Sequence, residues 1–104
     1  MLEKLFYLIP KTINQKDFNK RALVKMINNS GDYALFSYLS FVAFYHYKTG
    51  EIYLNKTLPA RLLYSATTLK HIKEFYYQFK DDSKKLNKKD IEKLPPWTDG
   101  VITL

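Results

Sequence analysis

From Ser65 to Lys80 the apolar positions recur at helical spacing. Leu69, Ile72, Phe75, Tyr76 and Phe79 fall within a stripe of about 120°, the width of a helix laid against a core. Ser65 is the residue type whose hydroxyl accepts the free N–H groups of a first turn. The pattern predicts an amphipathic helix over 65–80 with one face buried. Lys70, Lys73, Tyr77 and Lys80 follow one flank of the stripe, Glu74 and Gln78 lie opposite, and His71 borders Phe75.

Upstream the period shortens. Ala22, Val24 and Met26 alternate with Leu23, Lys25 and Ile27, Asn28 to Asp32 is a dense turn signal, and Tyr33 to Tyr38 reads as the strand returning from it. Phe41 to Tyr47 is aromatic and β-branched, which suits a third strand. Plain alternation there puts Val42, Phe44 and His46 on one face and Phe41, Ala43, Tyr45 and Tyr47 on the other. Gly50 closes the hairpin turn Tyr47-Lys48-Thr49-Gly50, and Glu51 to Asn55 is the fourth strand. The fold expected is α+β: an antiparallel meander of about four strands with one principal amphipathic helix on a face. Leu69, Ile72, Tyr76 and Phe79 are expected to bury against the strand that carries Val42 and Phe44.

The remaining segments complete one domain over 1–104. An N-terminal segment (1–16) reads as a short strand or a single helical turn before Pro10, the meander spans 17–55, and a connection with Pro59 spans 56–64. After the helix, 81–104 is a charged linker with room for one more turn at 91–94, then a tail anchored by Trp97.

Composition narrows the function classes. Nine Tyr and seven Phe suit a covered sheet and imply a Tyr-lined surface. Net charge is +7, yet only Arg21 and Arg61 are Arg, so general attraction to anions is favoured over bidentate base reading. The absence of Cys excludes disulfides and thiolate metal sites and fits a cytoplasmic setting. No apolar run approaches the roughly 20 residues of a membrane span, so no membrane partner is expected.

No catalytic or metal-ligand set emerges, and no cofactor is expected. His71 lacks an orienting partner and a second ligand; the expected role is structural, at the helix–sheet seam, with a backbone carbonyl as its partner. Thr67 and Thr68 are expected to cap rather than attack. The candidate binding surface is the Lys70, Lys73, Tyr77, Lys80 ridge, continued by Lys84 and Lys85, together with Tyr45, Tyr47 and Tyr53.

The run Ser65-Ala66-Thr67-Thr68-Leu69-Lys70-His71-Ile72-Lys73-Glu74-Phe75, with Gln78, Ser37-Tyr38, Val42-Ala43, Gln15 to Ala22 and Trp97, resembles a family of small proteins from phages and mobile elements of low-GC Gram-positive bacteria. The chain departs from that pattern at Leu39-Ser40-Phe41 and in its apolar 58–63 connection. The family has no agreed activity. The resemblance implies a non-enzymatic accessory protein that binds a host protein or ribonucleoprotein, with an anti-CRISPR-like inhibitor of a host defence complex as the leading expectation. Direct nucleic-acid binding and capture of a nucleotide messenger are the alternatives.

Overall fold

The computed structural model describes residues 5–11, 15–27, 31–81, 83 and 85–104. The turn signal at 28–30, the first four residues, and positions 82 and 84 of the charged run lie outside the described residues.

The architecture is the expected α+β meander with one strand more. Strands β1 (Leu5–Tyr7), β2 (Ala22–Ile27), β3 (Asp32–Ser37), β4 (Ser40–His46) and β5 (Glu51–Leu54) lie in sequence order, all antiparallel. The extra strand is β1, from the segment that pattern alone left between strand and turn. It exists because Leu5, Phe6 and Tyr7 find β2 as a partner, opposite Lys25, Val24 and Leu23. Three short residues have no periodicity of their own to declare that pairing.

Among the described residues three helices follow: α1 (Ala60–Leu63), α2 (Ala66–Phe79) and α3 (Lys88–Glu92). The α2 helix starts where expected, with Ser65 Oγ accepting from Thr68 N at 3.3 Å. A reciprocal capping box of Asn87 and Asp90 starts α3, satisfying two first-turn donors at once. Among the described residues no helix is long and apolar enough to cross a membrane.

One face of the sheet packs under α2. Ala22, Val24, Leu35, Val42, Ile52 and Leu54 meet Ile72, Phe75 and Tyr76 there, while Leu69 and Phe79 are only half-buried at the margin. The other face carries Ala34, Phe36, Phe41 and Phe44 and is covered by the tail. Trp97 stacks on Phe44 with ring centroids 4.0 Å apart.

The expected faces of β4 need correction. Leu35 pairs with Ala43 but Phe36 pairs with Phe41, so Val42 is an extra residue, a β-bulge. Val42, Ala43 and Tyr45 therefore all reach the helix side, and Phe41 and Phe44 share the opposite one. Phe44 does not lie under α2. The buried Asn55 side chain holds the bulge, donating from Nδ2 to Phe41 O at 2.9 Å while its backbone N–H donates to Val42 O. Glu74, expected on the solvent face, is buried and accepts from Gln78 Nε2 at 2.7 Å. That amide nitrogen also donates to Ile9 O, which ties the N-terminal segment to α2.

Candidate functional site

The helix α2 runs between the two ends of the sheet. Its C-terminal end lies over the β4–β5 hairpin, because Lys80 Nζ donates to Gly50 O at 3.1 Å and forms an ion pair with Glu51. Its N-terminal end lies over the β3–β4 turn, because Thr68 Oγ1 is 3.3 Å from Ser37 Oγ.

The residues proposed from sequence as one binding surface are not brought together. Lys80 is engaged by Glu51, and Tyr77 accepts from Leu86 N at 3.0 Å and packs on the core. Tyr45 packs against Phe79 on the helix side. Tyr53 lies across the sheet, edge-on to Trp97, and its hydroxyl shares a hydrogen bond with Thr49. Lys70 remains exposed, Lys73 is half-buried, and Tyr47 is exposed at the hairpin beside Gly31. A helix wheel orders side chains around one axis, whereas these residues face neighbours from β5, α3 and the tail.

A different set does converge, at the N-terminal end of α2. The β3–β4 connection has two residues, Tyr38 and Leu39, between the paired Ser37 and Ser40. Both hold positive φ, 52° and 70°, the backbone of a hairpin turn that normally uses Asn and Gly. Asn19 and Lys20, in the approach to β2, also hold positive φ. These four are the only non-glycine residues in that region among those described, and backbone bonds hold them close: Tyr38 N donates to Arg21 O at 2.9 Å, and Arg21 N to Phe18 O at 3.0 Å. Each such residue costs roughly 1 kcal/mol or more against an extended or helical one.

Apolar and cationic groups surround this turn. Leu39 is 77% exposed, and Tyr7, Tyr38 and Leu62 are exposed as well. Lys20 Nζ sits 6.0 Å from the Tyr7 ring centroid and the Arg21 guanidinium 5.3 Å from that of Tyr38. The neighbouring Arg21 guanidinium, and after it Thr67, favour the ionised Tyr38 hydroxyl and hold its pKa below the usual phenol value. Neither Lys20 nor Arg21 has a carboxylate within ion-pair distance among the described residues. Tyr7, Lys20, Arg21, Leu23, Tyr38 and Leu39 line a depression of about 350 Å³. A second, of about 290 Å³, opens beside it between the first turn of α2 and Ser37, Ser40 and Leu62.

His71 lies beneath, fully buried, and its partner is not the expected carbonyl. Its Nδ1 is 2.7 Å from Ser37 Oγ, and the chain continues through Thr68 Oγ1 to Ser65 Oγ, which lies 3.0 Å further on. Burial first, and then the charge of Lys70, pushes its pKa down to about 4, so the ring is neutral at pH 7. A neutral imidazole on a serine hydroxyl is the contact from which a nucleophile is activated. Here, however, Nε2 has no hydrogen-bond partner among the described residues, so none of them completes a triad with the ring. The arrangement locks β3 to α2 directly beneath the turn. Among the described residues no group of three or more His, Asp or Glu is placed to hold a metal ion.

Sequence reasoning passed over Tyr7, Lys20, Arg21, Tyr38 and Leu39 as a site. The signal present was a two-residue hairpin link without Gly, Asn or Asp, and it becomes visible only once the strand bounds are known.

The model of a family of unknown function, DUF8033, matches residues 8–93. The chain belongs to that family. The match takes in the β2–β5 meander, all three helices and every residue of the Tyr38 turn, and stops before Trp97 and the tail. No curated protein and no solved structure matches the chain.

Proposed function

We propose that this DUF8033 protein is a non-enzymatic binding protein that engages a protein partner through the Tyr38–Leu39 end of its sheet. The observation that carries the reading is Leu39: a large apolar side chain, 77% exposed, at the tip of a turn where Asn or Gly would relieve the backbone. Folding gains little from Leu at that position. A partner that covers it does, and left-handed non-glycine residues cluster where such function resides.

The setting proposed is the one the sequence resemblance implies, a phage or mobile-element accessory protein in the bacterial cytoplasm that inhibits a host defence complex. The nucleic-acid alternative drew on the α2 ridge, and engagement of Lys80 by Glu51 and of Tyr77 by Leu86 removes two of its four members. What favours that alternative, and nucleotide capture with it, is the placing of Lys20 and Arg21 beside two tyrosine rings.

Affinity capture from host lysate tests the proposal, using the wild type, Leu39→Asp, and Tyr47→Ala at the opposite end, each with and without nuclease. The expected result is a protein captured regardless of nuclease, lost with Leu39→Asp and kept with Tyr47→Ala. Loss on nuclease treatment transfers the function to nucleic acid. Capture unaffected by Leu39→Asp removes the turn from the interface.

A further inference from the structure

We infer that the depression between Tyr7 and Tyr38 is the seat of an acidic segment of a protein partner, with a carboxylate between Lys20 and Arg21 and a neighbouring apolar side chain on Leu23 and Leu39. This rests on the binding reading above and names the chemistry of what is bound.

Of the two ion pairs found among the described residues, one uses Lys80 and the other is the His46–Asp32 contact, both at the far end of the sheet. Among the described residues Lys20 and Arg21 make no ion pair, Asp17 lying in the adjoining depression beyond ion-pair distance, and they flank an apolar floor on a chain of net charge +7. A partner that supplies the missing anion is steered in by the field of the whole protein and held by the local pair.

Geometry then selects the anion. The Arg21 guanidinium lies over the Tyr38 ring, which covers one of its faces and leaves the in-plane N–H donors to a ligand. What remains suits a planar, singly charged carboxylate. A phosphate dianion is better served by a helix N-terminus or a run of backbone amides. The N-terminal residues of α2, Ser65, Thr67 and Thr68, line the neighbouring depression instead. The two tyrosines are rigid, amphipathic walls that contact an apolar side chain at little entropic cost.

The probes are a capped hexapeptide, Glu-Asp-Leu-Phe-Asp-Glu, its counterpart with Gln and Asn replacing the acids, oligo-dT, and AMP. Binding is followed by ¹H–¹⁵N shifts, whose dispersion also reports that each variant is folded. The acidic peptide is expected to shift Lys20, Arg21, Tyr38 and Leu39, with the hairpin at Tyr47–Gly50 unmoved. Arg21→Gln and Lys20→Gln are each expected to weaken it about threefold to tenfold, and added salt to weaken it further. Equal binding of the neutral peptide overturns the inference, as does tighter binding of oligo-dT or AMP, or full affinity in both variants. If the peptide fails while Leu39→Asp still abolishes partner capture, only the acidic assignment falls. If Leu39→Asp leaves capture intact, the binding reading beneath it falls too.

Discussion

The two ends of the sheet solve the same problem, reversing the chain between antiparallel strands, with different residues. At the C-terminal end of α2 the turns use glycine: Gly50 at φ 68° with open space around it, and Gly31 at φ 89° with the Tyr47 ring packed against its Cα. Charges there are matched, Lys80 with Glu51, and Asp32 accepts from Tyr47 N at 2.8 Å and lies near His46. At the N-terminal end the turn is made by Tyr38 and Leu39, Lys20 and Arg21 have no carboxylate within ion-pair distance among the described residues, and apolar side chains face outward. The N-terminal end carries backbone strain, exposed apolar surface and two cations with no carboxylate at ion-pair distance among the described residues, the features on which the proposed partner site rests.

Substitutions separate the ends. The largest effect is expected where both depend on the same core: Ile72, fully buried at mid-helix, should cost about 2 to 5 kcal/mol as Ile72→Ala, measured as a lower urea midpoint. An unchanged midpoint would show that α2 is not the common support of the two ends.

Acid is expected to attack the N-terminal end first. His71 has a folded-state pKa of about 4, below its ordinary 6.5, so the fold favours the neutral ring. Its contribution is complete above pH 6.5 and is lost as the pH falls from 6.5 through 4, by about 3 kcal/mol at most. Urea titrations across this range check it, and His71→Gln should flatten the dependence. A slope that survives in His71→Gln belongs to other groups.

Relieving the strained turn is the sharper test of the comparison. Tyr38→Asn with Leu39→Gly is expected to raise stability by about 1 to 2 kcal/mol while abolishing partner binding. The same logic at the other end runs in reverse: Gly50→Ala has room for its methyl group but not for the backbone, and should lose about 1 kcal/mol without touching binding. A destabilised Asn-Gly variant would mean that Tyr38 and Leu39 contribute packing that outweighs their strain.

The smallest effect expected is at the matched charges. Lys80→Gln should cost no more than about 1 kcal/mol, since Glu51 is half-exposed and water screens the pair. Partner affinity should stay within twofold, read by the same capture assay. A large loss would return Lys80 to the binding surface, where the helix pattern first placed it.

The amino-acid sequence by itself determined what short-range periodicity encodes. The 3.6-residue stripe of Ile72, Phe75 and Tyr76, the Ser65 cap, the alternation of β2 and the Gly50 turn are each decided by residues within a few positions or by plain amphipathicity. Tertiary structure alone decided the rest. The bulge at Val42, which turned Phe44 away from α2, depends on Asn55 thirteen positions on in the chain. Burial of Glu74 depends on a helix face meeting the N-terminal segment, and the pairing of β1 on β2 being there to receive it. The candidate site joins Tyr7, Arg21 and Tyr38, which no local pattern connects; strand register sets them side by side, and register is a property of long-range pairing that a one-residue slip would undo.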